Sequence, residues 1–499
     1  DILSVTFKYL FMEKQYIINP RYTLRNESDK IVLLMKPDPV SPTSICVLHP
    51  IYAMILCFVD GCSIKEAAVK ASNYLGIGEK EIMNIILPLI ENKKIIKGYE
   101  SIFPKDFLIE YKSGMERRKY NPDNFYCSKL NLKLSRLNAP SDIICNITMK
   151  CYTNCAYCYA DRHGHLNYKM SPEKICNIID EAYNLGVVSF KLIGGEIFQY
   201  KEWEVILRKL KSYGYNPCLS TKYPLKEKDV QKLKEILDDK IPLQISLDTL
   251  IPEHIKNILH VRGEKYKDDI IYFMELLEKY EVNYTIHTVL NLYNDSLEDI
   301  KSIENHLINK KYLQEWSVDS AKCSMYLPYD YSSYKPSKEN VIKIASYLKN
   351  LSNSISSFKI HLPEILRNHN KIDRNKKSKI FKNRISCSGN NSSMYILPDG
   401  KVTICEELYW HPHFIIGDLN LNSIEEIWNS PKAHSLFYLN QSDISKDSPC
   451  STCKDFKDCH SYKHVCWRDV ILAYGSNNWD FPDPFCPLAP PILKDIAME

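Results

Sequence analysis

Cys151, Cys155 and Cys158 fall on one short loop, Met149-Lys150-Cys151-Tyr152-Thr153-Asn154-Cys155-Ala156-Tyr157-Cys158-Tyr159, in a C-x3-C-x2-C spacing. Three thiolates on such a loop can hold three irons of a 4Fe–4S cube and leave the fourth iron without a protein ligand. Two-cluster ferredoxins use a different spacing and supply a fourth Cys. A structural zinc site wants four ligands, usually as two pairs, so a zinc or disulfide loop is an alternative that this spacing fits poorly.

A second concentration of thiols lies near the other end of the chain. Of the 18 cysteines, three are in the loop above and seven fall between Cys387 and Cys486. Cys387 is followed after twelve residues by Gly400, and four residues later by Cys405. Leu397-Pro398-Asp399-Gly400 reads as a hairpin turn, with Gly supplying the positive φ and Cys405 on the returning strand. Cys450-x2-Cys453-x5-Cys459-x6-Cys466 follows, then Cys486. Clustered cysteines in a reducing compartment mean metal, either iron–sulfur clusters or a pair of zinc ribbons. The eight remaining cysteines are scattered, mostly in apolar settings, and read as small core residues.

Positioning these thiols requires a scaffold, and the sequence between them alternates strand and helix. Apolar runs at 143–149, 187–193, 217–221, 242–247, 284–290 and 315–321 read as buried strands with helices between. The best-marked helix starts at Ser171, with Pro172 in its first turn, and stops at Gly186. Repeated βα units imply a parallel barrel, here partial and six-stranded, with its site on the C-terminal strand ends. The polar residues fall at those ends. Cys151 follows strand one, and Gly194-Gly195-Glu196 ends strand two. Ser220 and Lys222 end strand three, Ser246 and Asp248 strand four, and Asn291 strand five. Strand-end glycines that let a ligand approach the backbone, beside a carboxylate and hydroxyls, suit a polar ligand. For Lys222, Ser246, Asp248 and Asn291 the alternative is a solvated strand end. The Tyr- and Pro-containing stretch from Tyr326 to Pro336 reads as a loop packed on its own domain rather than as a peptide groove.

Upstream, residues 16–24, 30–35 and 45–48 are strand-like, and helices follow at 50–59, 64–75 and 79–92, with a wing strand at 94–96. That is a winged-helix outline, but the third helix is acidic and apolar rather than an Arg-rich reader of DNA. Residues 111–140 are polar and read as a linker. The net charge of +4, from 65 basic and 61 acidic residues, gives no bulk case for nucleic acid. The longest apolar run, 50–59, is too short to span a bilayer, and no signal peptide is evident. The expectation is a cytoplasmic protein without membrane partners.

The loop C-x3-C-x-Tyr157-C resembles the signature of the radical SAM superfamily. The resemblance implies that S-adenosylmethionine chelates the open iron, and that an electron from the reduced cluster cleaves it to a 5′-deoxyadenosyl radical. It also implies that Gly194, Gly195 and Glu196 meet the cofactor's amino group, with Tyr157, Ser220, Lys222, Ser246, Asp248 and Asn291 as further cofactor contacts. The C-terminal pattern, with Gly417-Asp418-Leu419 and the stretch from Ser423 to Trp428, resembles the SPASM domain. There the spacing before Cys466 is six residues, where the family has three. The family's interleaved pattern implies that Cys450, Cys453, Cys459 and Cys486 hold one auxiliary 4Fe–4S cluster. Cys387, Cys405 and Cys466 would hold another, whose fourth ligand is open or unidentified, Cys323 being a remote candidate.

The N-terminal region, through Ile18-Asn19-Pro20-Arg21 and Phe58-Val59-Asp60-Gly61, resembles the peptide recognition domain of ribosomal-peptide modifying enzymes. A regulatory or structural winged helix is the alternative. Together the resemblances imply an α/β chain with a leader-recognition domain (1–110), a linker (111–140) and a partial (β/α)6 barrel (141–335). Bridging helices (336–385) and a SPASM domain (386–499) complete it. They imply three 4Fe–4S clusters, a precursor-peptide partner, and an electron donor such as flavodoxin or ferredoxin. The expected reaction is thioether formation of the sactipeptide or ranthipeptide kind. Carbon–carbon cross-linking, epimerisation and decarboxylation stay open, as does a zinc-bound peptide adaptor without catalysis.

Overall fold

The structure is a computed structural model that describes residues 13–27, 31–36, 43–90, 103–126 (without 105 and 116), 136–161, 165–237, 242–362, 379, 381, 383, 386–461 and 465–492. The chain divides into two compact units. One comprises residues 1–142 with 182–189 and 213–215, and the other holds the remainder.

In the first unit, the expected strand over 16–24 is two strands in two different sheets. Gln15–Ile18 pairs antiparallel with Asp60–Ser63 and Leu108–Glu110, whereas Thr23–Glu27 pairs with Ile31–Lys36, which pairs with Thr43–Leu48. The break comes at Asn19-Pro20. Pro20 has no N–H for a ladder, and the Asn19 side chain accepts from Arg21 N (3.1 Å) while Asn19 O accepts from Tyr22 N (2.9 Å). Helix Ile64–Leu75 has the expected bounds, set by a capping box between Ser63 and Glu66 and by Gly76 at φ +68°. The preceding helix, Pro50–Leu56, stops short of residue 59. The third runs over Glu79–Ile90. Ile55, Ala67, Ala71, Ile82, Ile86 and Phe107 are fully buried between these elements. The wing expected at 94–96 lies outside the described residues.

In the second unit all six expected strands are present, several of them shorter than expected. Ser220–Thr221, Leu243–Ser246, Tyr284–Leu290 and Leu313–Ser320 run parallel in that order, with Lys359–His361 added at the edge. Asp142–Asn146 and Ser189–Ile193 form the edge of a second sheet, which continues through Ser393–Ile396, Lys401–Thr403 and Gly417–Asp418. Leu192 N donates to Pro217 O (3.2 Å) where the two sheets approach. The result is an open α/β arrangement of four plus two strands, with the C-terminal hairpin built onto its first strand. Gly400 turns that hairpin at φ +89°, and Cys405 lies just past the returning strand rather than on it. Among the described residues, no helix is long and apolar enough to cross a membrane.

Candidate functional site

The first strand of this unit ends at Asn146, earlier than the apolar run suggests, because side chains close its end. Thr148 N donates to Asn146 Oδ1 (3.2 Å) and Lys150 N to Thr148 Oγ1 (3.1 Å). The cysteine loop then leans on the C-terminal end of helix Pro252–Leu259. Asn154 N donates to Leu259 O (3.0 Å) and Ala156 N to Ile258 O (2.8 Å). Thr153, almost fully buried, places its hydroxyl 3.6 Å from Cys151 Sγ and 3.3 Å from Cys155 Sγ. Burial pushes the Cys155 thiol up to about 12, partly opposed by Lys222. Such a thiol ionises readily only beside a cation, which is the condition a metal cluster supplies.

The two glycines owe their place to this loop. A Cβ on Gly195 would lie 2.5 Å from Lys150 O and 2.6 Å from Met149 O, and one on Gly194 would lie 2.7 Å from Thr148 O. Gly195 N donates to Thr148 O (2.7 Å) and Glu196 N to Lys150 O (2.8 Å), so the end of strand two grips the root of the cysteine loop. The Glu196 carboxylate faces inward. It accepts from Thr221 Oγ1 (2.9 Å), Phe198 N (3.2 Å) and Lys222 N (3.1 Å), and burial raises its pKa against those bonds. Its charge therefore braces strand three as well as standing near the loop.

Asp248 is the hub of the remaining polar set. It accepts from Tyr157 Oη (2.6 Å), Lys222 Nζ (2.9 Å) and Val289 N (3.1 Å), and is almost fully buried. Burial opposes the charge on Lys222, but Asp248 and the nearby thiols of Cys155 and Cys151 outweigh it and raise the ammonium above its ordinary value. Ser246 is half-buried at its strand end, and its hydroxyl has no hydrogen bond among the described residues. Two expected contacts stand apart. Ser220 is exposed and accepts from Gln244 Nε2 (3.0 Å). Asn291 is fully buried, with its side chain spent on Tyr293 N and Val289 O.

Among the C-terminal thiols four lie together, and Cys405 lies near Cys387. Cys450, Cys453, Cys459 and Cys486 perturb one another electrostatically, and burial followed by these neighbours pushes Cys459 up to about 12. Cys405 is raised by burial and then by Cys387. Cys466 caps helix Trp467–Tyr474 with its N–H bound to Asp483 (2.8 Å), and its neighbours Val465 and Trp467 line one small pocket with Cys387. Among the described residues no three His, Cys, Asp or Glu side chains form a single-ion site, and no two cysteines form a disulfide. A cube places each thiolate on a different iron, so it wants sets more spread than a zinc site. Cys323 packs instead with Ala321, Tyr331 and Tyr334.

Sequence reasoning missed the residues that join these loops. Arg468, 2% exposed, donates to Glu407 (2.8 Å), Asp469 (2.8 Å) and Cys323 O (2.8 Å). Tyr329 Oη donates to Ala156 O (2.7 Å) in the cysteine loop, and Tyr326 Oη to Glu407 O (2.7 Å) just after Cys405. No local pattern announces such contacts.

Residues 145–307 match the radical SAM superfamily, and residues 387–454 match the SPASM iron–sulfur cluster-binding domain. The chain thus carries a radical SAM region followed by a SPASM region. It is 32% identical over 147 residues to a probable GTP 3′,8-cyclase of Methanococcus aeolicus, covering 28% of this chain and 48% of that protein. It is 29% identical over 209 residues to a probable GTP 3′,8-cyclase of Pyrococcus horikoshii, covering 41% and 65%. The match thus spans about half the length of the first relative. The fold is similar to that of Streptococcus suis SuiB bound to its precursor peptide SuiA, with a TM-score of 0.63 at 16% identity over 95% of this chain and 100% of that one. SuiB bound to S-adenosylmethionine matches over the same shares with a TM-score of 0.62.

Proposed function

We propose that this radical SAM protein modifies a ribosomally made precursor peptide, most directly by linking a Cys sulfur of the peptide to an acceptor carbon as a thioether. The observation that carries the reading is the likeness to peptide-bound SuiB along 95% of the chain, the N-terminal unit included. The match to the GTP cyclases covers less than half of this chain.

In this reading Cys151, Cys155 and Cys158 hold the initiating 4Fe–4S cluster. Cys450, Cys453, Cys459 and Cys486 hold one auxiliary cluster, and Cys387, Cys405 and Cys466 another. Bound there with S-adenosylmethionine, the clusters supply one-electron, hydrogen-abstracting chemistry. The chain's own residues orient it. Thr153 sets the spacing of two thiols, and the Gly194–Gly195 backbone locks the loop to strand two. Asp248 fixes Tyr157 and Lys222 beside the loop, and Ser246 offers a free hydroxyl for a ribose. A flavodoxin or ferredoxin would deliver the electrons.

The test is to find a short Cys-containing reading frame beside the gene and to turn its peptide over anaerobically with the cluster-loaded protein. The expected result is 5′-deoxyadenosine together with a peptide lighter by the two hydrogen atoms that a thioether removes. Consumption of GTP with the peptide unchanged would overturn the reading, and a modified peptide with its thiol still free would overturn the thioether.

A further inference from the structure

A small pocket in the second unit brings together the segments that carry three of the C-terminal thiols. Cys387 lines it directly, as do Ile404, the residue before Cys405, and Val465 and Trp467, the residues on either side of Cys466. Gly389 lets the first segment press onto the second, since a Cβ there would lie 2.2 Å from Ile404 O and 3.4 Å from Cys387 Sγ. In the proposed reading these three thiols share one 4Fe–4S cluster, and three thiolates leave one iron of a cube without a protein ligand. The pocket wall holds a further side chain able to bind metal. His460, half-buried, lines it together with Cys387.

The short helix Phe456–Ser461 brings the ring there. Successive residues of a helix point about 100° apart. Cys459 lies with Cys450, Cys453 and Cys486, so His460, the next residue, is turned away from that set. Its ring is braced by two aromatic neighbours. Phe456, one turn earlier and almost fully buried, lies 4.2 Å away between centroids, and Trp467 lies at 6.2 Å. A ring held in this way loses little freedom when it binds a metal. The other candidates are committed elsewhere. Asn390, also in the wall, donates its amide to Ala433 O (2.7 Å), and Cys323 packs with Ala321, Tyr331 and Tyr334. We infer that His460 is the fourth protein ligand of the cluster held by Cys387, Cys405 and Cys466. The inference rests on the auxiliary-cluster assignment of the proposed function and adds a ligand of different chemistry. A neutral imidazole in place of a thiolate leaves the cluster one negative charge short of an all-thiolate cube, and in Rieske centres that exchange raises the potential. Adjacent residues, Cys459 and His460, then serve different clusters, and the one with the imidazole is the easier to reduce.

The experiment uses the tag-free, full-length, cluster-loaded protein, reduced with dithionite without S-adenosylmethionine and read by pulsed electron paramagnetic resonance. Protein grown on histidine labelled with heavy nitrogen should show a directly bound nitrogen whose coupling changes with the isotope. His460→Gln should lose that coupling. His460→Cys should lose it too, while keeping the wild-type iron content and moving one midpoint potential to a more negative value. A spectrum without bound nitrogen in a protein that holds both auxiliary clusters overturns the ligand, as does a nitrogen coupling that survives in His460→Gln. Cys405→Ala tests the assignment beneath it and should lose one cluster's iron. Unchanged iron content in that variant would remove the cluster itself, and the ligand with it.

Discussion

The Arg468 guanidinium lies 2.8 Å from the Glu407 carboxylate, and this one buried ion pair ties the loop after Cys405 to the helix that begins at Cys466. A third arm reaches Cys323 O, just past the sixth strand. Removing one partner of a buried pair leaves an uncompensated charge, and here two carboxylates would lose their cation. Arg468→Gln should therefore cost about 3–5 kcal/mol of stability. Because Cys405 and Cys466 belong to one proposed cluster, the variant should also bind less iron, with the loss in the auxiliary signals of the reduced protein by electron paramagnetic resonance. Arg468→Lys, which restores charge but not the forked geometry, should recover only part of either property. Full iron occupancy in Arg468→Gln would show that the clamp does not position the thiols.

Lys222 and Asp248 form another buried pair, at 2.9 Å. A Lys held above its ordinary value of 10.5 stays protonated on folding, so its contribution is complete below that value and is lost only as pH rises past it. Lys222→Met should thus lower stability by a margin that does not vary between pH 6 and pH 9, read from urea midpoints. It should also free Tyr157 and Asp248 beside the cysteine loop and slow 5′-deoxyadenosine formation at least tenfold. A margin that grows or shrinks across that range would mean that Lys222 titrates there.

How far the sequence foretold these features depended on the range of the interaction. Helix Ile64–Leu75 was legible at both ends because Ser63, Glu66 and Gly76 carry the signals locally. Strand Tyr284–Leu290 was legible because its apolar run is bounded on both sides. The cysteine sets announced themselves by spacing. By contrast, the run 16–24 looked like one strand because apolar residues flank Asn19-Pro20-Arg21 on both sides, and the turn chemistry between them breaks it. Arg468 meets Cys323 across 145 residues and Tyr329 meets Ala156 across 173, and nothing in either neighbourhood encodes the partner. Gly194 and Gly195 were read as places where a cofactor could lie close; what the structure brings close to them is the backbone at the root of the cysteine loop.

His413 gives the fold an acid-sensitive spot. Its ring stacks on Trp479 at 3.6 Å between centroids, and its Nε2 is buried without a partner among the described residues. Burial first, then His411 and Lys432, lowers its pKa to about 4 from the ordinary 6.5. Between those values the unfolded chain binds the proton and the folded one does not, so stability falls as pH drops from 6.5 toward 4. His413→Phe keeps the stacking and removes the titration. Its urea midpoint should decline less than that of the wild type between pH 7 and pH 5, and parallel declines would exclude His413 as a source of the acid limb.

In the N-terminal unit, Thr23–Glu27 and Thr43–Leu48 are the two outer strands of one antiparallel sheet. The first edge is occupied, since Leu24 N donates to Tyr120 Oη (3.2 Å) and Asn26 Nδ2 to Asn124 O (2.7 Å). On the second, Val47 is 38% exposed. A leader that binds by strand addition would therefore add along Thr43–Leu48, with an apolar side chain against Val47. Val47→Asp places a charge on that edge without disturbing a buried residue, so its thermal midpoint should match the wild type. Its affinity for a fluorescein-labelled leader should fall at least tenfold, about 1.4 kcal/mol, by anisotropy. An unchanged affinity would move the leader off this edge, because no apolar partner could then be packed against residue 47.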